Sequence, residues 1–290
     1  MLSVAVTEPQ SAGDYDDRTT AAVKSVLVEI GQILGSFKGK FSVIGGAVPW
    51  LLLSEADMPH IGTVDVDLSL DASALGDGEY VRLVEALRTH GYQQRENLRR
   101  FQLVRTVPTK DGGPDIDVVV DFLMPRDAEI VRNRPPLINQ FAVQRADGAD
   151  LAIRFPEIVA IDGDMPDGGR NLVRIAVASI PALLAMKGHA IANRLKRKDA
   201  YDIYYSIRNF PDGMDALVEA TRRLLEVPSA RRGYCLIADK FRDVEDFGPT
   251  NVRRFVEDSD LLGGRTADQW QQDAFGQVDA WLRELGLRPT

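Results

Sequence analysis

Along residues 62–70, GTVDVDLSL, the positions Val64, Val66, Leu68 and Leu70 alternate with Thr63, Asp65, Asp67 and Ser69. Period two predicts a strand with one face in a core. Further strands are predicted at Phe41–Ile44, Arg100–Val107 and Ile116–Met124, the last two joined by the turn-rich PTKDGGPD. Shorter ones are predicted at Asn139–Arg145, Ala149–Phe155 and Leu172–Ala176, with 162–170 as a loop. Helical spacing over 19–35 predicts a helix capped by Thr19 or Thr20. Ala47–Ser54 reads as a helix with Pro49 in its first turn, and Glu79–His90 as one closed by Gly91.

From Ser179 onward the texture changes. Helices are predicted from Ser179 to about Arg194 and near 198–209, 213–225, 228–241, 250–258 and 266–286, with no strand among them. The expectation is an α+β protein: a mixed α/β part over 1–177, with a polar lead-in at 1–18, and an all-helical part over 178–290.

Composition narrows the class. The 290 residues are 44% hydrophobic and 27% charged, as in ordinary globular proteins. No run approaches the ~20 consecutive apolar residues of a membrane span, so no membrane association is expected. The N-terminus has neither the basic start nor the apolar core of a signal peptide. The only cysteine, Cys235, excludes an intrachain disulfide and a zinc site of several cysteines, and fits a cytoplasmic location. A net charge of −8 argues against broad adhesion to nucleic acid. Positive charge is nonetheless clumped, above all in Arg194-Leu195-Lys196-Arg197-Lys198.

Asp65 and Asp67 lie at i and i+2 of one strand, so their carboxylates share a face and repel. A divalent cation relieves that repulsion: Mg²⁺ takes one or two carboxylates and fills its other positions with water and phosphate oxygens. A solvated strand face is the competing reading for this pair alone. Gly45-Gly46, between a strand and a helix, adds a place where backbone approaches an anion closely; a plain tight turn is its alternative. In DIDVVVDFLMP, Asp115, Asp117, Val119 and Asp121 share one strand face. Asp121, nearer the strand end, is favoured as a third acid, with Asp117 its rival. G-x-S-x-G is absent.

In MKGHAIANRLKRKDAYDIYY, Lys187, Arg194 and Lys198 would fall along one helical stripe, suited to a triphosphate or a nucleic-acid backbone. Asp199 and Asp202 would pair with these cations or contact a nucleotide. A solvated charged face is the alternative for the arginines. The histidines His60, His90 and His189 show no metal-ligand spacing, and the tryptophans read as core.

Taken in order, IGGAVPWLL, HIGTVDVDL, VVVDFLMP and K-x6-R-x3-K-D-x2-D resemble the polymerase-β-type nucleotidyltransferases, most of all the AbiEii/MenT-like toxins of bacterial toxin–antitoxin and phage-defence systems. The resemblance spans roughly residues 40–210. It implies a nucleotidyltransferase-type mixed sheet flanked by helices, and a transfer of NMP from an NTP to an acceptor hydroxyl with pyrophosphate released. Two Mg²⁺ ions would sit on Asp65, Asp67 and Asp121 (or Asp117). Gly45 and Gly46 would hold the triphosphate, with Thr63, Lys187, Arg194, Lys198, Asp199 and Asp202 also on the nucleotide. The tRNA 3′ end is the implied acceptor and an antitoxin the implied partner. Many relatives carry an arginine just before the threonine of this loop; here His60-Ile61 precede Gly62-Thr63. A small-molecule nucleotidyltransferase of the antibiotic-modifying type is the second reading, and a non-catalytic nucleotide-binding regulator the third.

Overall fold

The computed structural model of the chain describes residues 9–71, 79–109, 112–128 and 142–288. They fall into two compact units. One takes Asp17–Val48 and Gly62–Ser179; the other takes the segment ending at Asp16, Pro49–Ile61 and the chain from Ile180 onward. Sequence texture assigns residues 9–16 and 49–61 to the N-terminal part, yet they associate with the helices that begin at Ile180.

The first unit is a mixed sheet flanked by helices. In chain order it contains α1 (Asp17–Ile33), β1 (Phe41–Ile44), the start of α2 (Ala47–Leu52), β2 (Asp65–Leu70), α3 (Glu79–Thr89), β3 (Gln102–Val107) and β4 (Ile116–Pro125). Then follow β5 (Gln144–Ala146), α4 (Ala149–Arg154), β6 (Pro156–Asp164) and β7 (Arg170–Ala178). The strand order is β3-β4-β2-β1-β7-β6, with β5 added beside β4. β2 runs parallel to β4 and antiparallel to β1. Val66, Leu68, Val118, Val120 and Phe122 are buried on one face. α1 covers that face: the Arg105 guanidinium of β3, which points the same way, donates to both Glu29 oxygens at 2.9 and 3.0 Å. The stretch Asp17–Phe37 is apolar and long enough on average to cross a membrane. Here its Val23, Val26, Leu27 and Ile30 are fully buried in this unit. On the opposite face, Ser69 donates to the Ala149 carbonyl at 2.8 Å and ties down α4.

Three expectations need correction. α1 starts at Asp17, so Thr19 and Thr20 lie inside its first turn and do not cap it. Ala149–Phe155 is not a strand: Ala149, Leu151 and Ala152 are buried on the one-and-a-half-turn helix α4, because a short apolar run fits either period. The segment read as a loop at 162–170 begins inside β6, whose opening proline suits an edge strand. Of the predicted strand at Asn139–Arg145, residues 139–141 lie outside the described residues, and β5 covers its end.

The second unit holds α5 (Ile180–Asn193), α6 (Arg197–Arg208), α7 (Gly213–Leu225), α8 (Pro228–Lys240), α9 (Phe247–Val256) and α10 (Ala267–Glu284). α5 is apolar nearly all round and buried on every side, as a central helix must be. Its Gly188 lets α8 approach so closely that a Cβ there would lie 1.9 Å from the Gly233 carbonyl oxygen. Trp270, Trp281, Tyr201, Tyr204 and Tyr234 fill the core between the helices.

Candidate active site

Alternation along β2 sends Asp65 and Asp67 to the face opposite α1, where both are half-buried. Asp67 is the register partner of Asp121 on the parallel neighbour β4, and of Ile44 on β1. Paired strands stand about 4.8 Å apart, so Asp67 and Asp121 lie side by side with Asp65 about 6.7 Å along the strand. Gly45 follows Ile44 at φ +73°, in the left-handed region that favours glycine. A Cβ there would lie 1.9 Å from Asp67 Oδ2, so the carboxylate rests directly against the glycine backbone. Gly46 takes the second, half-exposed place in the turn.

Each of the flanking polar groups has a definite task. Thr63, buried, donates its hydroxyl to Asp65 Oδ1 at 3.0 Å and to the Asp65 carbonyl at 3.2 Å. It orients the first acid and does not present itself to a nucleotide. Gln102 donates from Nε2 to Asp121 Oδ1 at 2.8 Å. Asp117, on the same face, is held by the Arg95 guanidinium and by the Thr106 hydroxyl at 2.6 Å. Burial alone would raise the Asp117 pKa, but these donors outweigh it and hold the group below the usual carboxylate range. Asp115 precedes β4.

Among the described residues no three His, Cys, Asp or Glu side chains converge into a ready cation cage. The three carboxylates line a face and do not enclose a point. That donor set suits Mg²⁺, which is seldom held by an all-protein cage and completes its shell with water and substrate phosphate. The carboxylate pressed on Gly45 adds hard oxygen beside exposed backbone, where a phosphate can approach.

The second cluster belongs to the helical unit. The expected single stripe of Lys187, Arg194 and Lys198 does not exist, because α5 ends at Asn193 and α6 starts at Arg197. The chain turns through Lys196, whose carbonyl accepts from Asp199 N at 3.0 Å. The turn gathers the charges instead of lining them up. Lys187 Nζ lies 2.7 Å from Asp199 Oδ1 and 2.8 Å from Asp202 Oδ2. Arg194 grips Asp199 with two nitrogens at 2.7 and 2.9 Å. Lys198 Nζ and His60 Nε2 reach Asp202 Oδ1 at 2.8 and 3.0 Å. Lys187, Lys198 and both aspartates are buried, whereas the Arg194 side chain is 53% exposed.

The charges set the protonation of this cluster. Burial would raise Asp199, but Lys187 and Arg194 bring it down to about 2. Asp202 is held well below the usual range against the same burial by Lys187 and Lys198. Burial favours neutral Lys187, yet two carboxylates push its pKa up; Lys198 faces one shared carboxylate and stays lowered by burial. Burial and the charge of Lys198 lower His60 from 6.5 to about 4.

The sequence profile of the nucleotidyl transferase AbiEii toxins, a type IV toxin–antitoxin system, matches residues 62–280. The chain belongs to the AbiEii nucleotidyltransferase toxin family. The matched stretch contains Asp65, Asp67, Asp121 and the whole Lys187–Asp202 cluster, and begins after the Gly45-Gly46 turn. Two solved Helicobacter pylori structures share the fold. JHP933 superposes with a TM-score of 0.51 at 11% identity, over 94% of this AbiEii chain and 95% of its own. A candidate nucleotidyltransferase superposes at 0.50 with 11% identity, over 95% and 100%. No curated protein matches the chain.

Sequence reasoning missed Gln102, Arg95, Thr106 and His60. The first three depend on strand register, which no local pattern encodes. His60 had a usable signal, its place in the loop just before Thr63, but no metal-ligand spacing to single it out.

Proposed function

We propose that this AbiEii family member transfers a nucleoside monophosphate from an NTP to an acceptor hydroxyl, releasing pyrophosphate. The proposed acceptor is the 3′ end of tRNA, and the proposed setting is a toxin with a cognate antitoxin as partner. One observation carries the chemistry: Asp67 and Asp121 are register partners on one sheet face, with Asp65 beside them and Gly45 against Asp67.

Asp65, Asp67 and Asp121 would hold divalent cations, and Mg²⁺ is proposed from the oxygen donor set. Bound there, two such ions supply Lewis acidity to the acceptor hydroxyl and charge neutralisation to the triphosphate. The chain's own groups do the rest. The Asp121 carboxylate accepts the proton leaving the acceptor hydroxyl. Gly45 and Gly46 admit phosphate oxygens to the backbone, and Thr63 keeps Asp65 aimed. Lys187, Arg194 and Lys198 against Asp199 and Asp202 amount to three cations and two anions, a surplus of one positive charge with His60 neutral. That surplus supports a nucleotide-binding role for the cluster, in which the exposed Arg194 makes the outward contact.

The test is incubation with each labelled NTP, Mg²⁺ and total tRNA, followed by gel separation. Label on RNA is the expected result, and its absence with all four NTPs would remove the tRNA reading. A small cationic acceptor is the second reading. It is favoured by the net charge of −8 and by the burial of Lys198, which takes a cation out of the stripe expected for RNA. Salt separates the two: binding to RNA weakens steeply as salt rises, as phosphate contacts require, whereas a single small cation responds weakly.

A further inference from the structure

We propose that Gln102 is a positioning residue that makes Asp121, and not Asp117, the third cation-binding carboxylate. The inference rests on the reading of Asp65, Asp67 and Asp121 as a divalent-cation site.

Gln102 opens β3 and is the register partner of Asp121 across the antiparallel pair with β4. Its side chain is tethered at both ends. Oε1 accepts from Arg99 N at 2.9 Å, and Nε2 donates to Asp121 Oδ1 at 2.8 Å. Chemistry fixes the orientation of the amide. A backbone N–H only donates and an ionised carboxylate only accepts, so turning the amide over would break both bonds. A side chain held in this way restrains the carboxylate it touches, as groups behind metal ligands do.

Asp117, four residues back on the same face, is held differently. The Arg95 guanidinium reaches both its oxygens and Thr106 adds a hydroxyl at 2.6 Å. Arg95 also donates to Thr106 Oγ1 at 2.9 Å, which locks the trio together. A carboxylate already paired with a guanidinium has its charge balanced, and a cation would have to displace that partner. A neutral amide orients Asp121 without cancelling its charge. The two acids thus differ in what holds them, not in which face they occupy.

The test is direct Mn²⁺ binding to the full chain without nucleotide, read by the electron paramagnetic resonance of free Mn²⁺. The proteins are wild type, Gln102→Met, Asp121→Asn and the double variant. Gln102 is half-exposed on an edge strand, so Met should leave the melting temperature nearly unchanged. Gln102→Asn, polar but one methylene short, serves if Met disturbs β3. Either is expected to weaken Mn²⁺ binding about 10- to 100-fold. The double variant should bind no more weakly than Asp121→Asn alone, because Gln102 acts only through Asp121. Wild-type affinity in the Gln102 variants, beside a loss in Asp121→Asn, would overturn the positioning role and leave the cation site standing. Losses that multiply in the double variant would also overturn it. A wild type that binds no Mn²⁺, or an Asp121→Asn that binds as wild type, would remove the cation reading and this proposal with it.

Discussion

Asp65 and Asp67 place two negative charges two residues apart, with Asp121 across from one of them. Like charges so placed lower stability, by up to about 1 kcal/mol for a close cross-strand pair. Groups kept at that cost serve chemistry. Asp65→Asn and Asp67→Asn should each cut transfer by at least about 10²-fold, while the melting temperature holds steady or rises. Both are checked on one preparation, by an NMP-incorporation rate and a thermal melt; a lowered melting temperature with full activity would contradict the account. The pair was legible in the sequence because period two fixes which residues share a face. Gly45 was legible as a turn, but its contact with Asp67 was not, since that needs the β1–β2 register. For the same reason, choosing between Asp117 and Asp121 required Arg95, Thr106 and Gln102, which come from β3 and the segment before it.

The helices of the second unit were largely readable, because their apolar spacing and their breakers are local signals. The joint between α5 and α6 was not. Residues 194–196 carry no glycine or proline, and a continuous helix would put Lys187, Arg194 and Lys198 in line. The break instead folds those cations onto Asp199 and Asp202, where burial makes each partner depend on the others. Lys187→Met should therefore cost about 3–5 kcal/mol, since it strips a buried cation from two carboxylates; denaturant unfolding measures this. His60 adds a pH dependence. Unfolded, it takes a proton near 6.5, but in the folded unit only near 4. Its contribution is complete above pH 6.5 and is lost as pH falls towards 4, by about 3 kcal/mol in all. His60→Gln can still donate an N–H and does not titrate, so it should flatten unfolding free energy across that window. An unchanged pH slope in the variant would show that the histidine does not carry it.

For the molecule as a whole, charge and chemistry pull in different directions. A net −8 repels polyanions at a distance, and the acidic face of the sheet adds to that repulsion. Any binding of nucleotide or RNA must come from local groups: cations on the acids, backbone at the glycine turn, and the surplus positive charge around Asp199 and Asp202. Family membership and fold agree with such chemistry, but they do not say which carboxylates perform it. The most direct measurement is the rate of NMP incorporation from labelled NTP by Asp121→Asn and Asp117→Asn, side by side at saturating Mg²⁺. Asp121→Asn should fall by at least about 10²-fold, with Asp117→Asn within a few-fold of wild type. Full activity in Asp121→Asn, or the reverse ranking, would contradict the assignment.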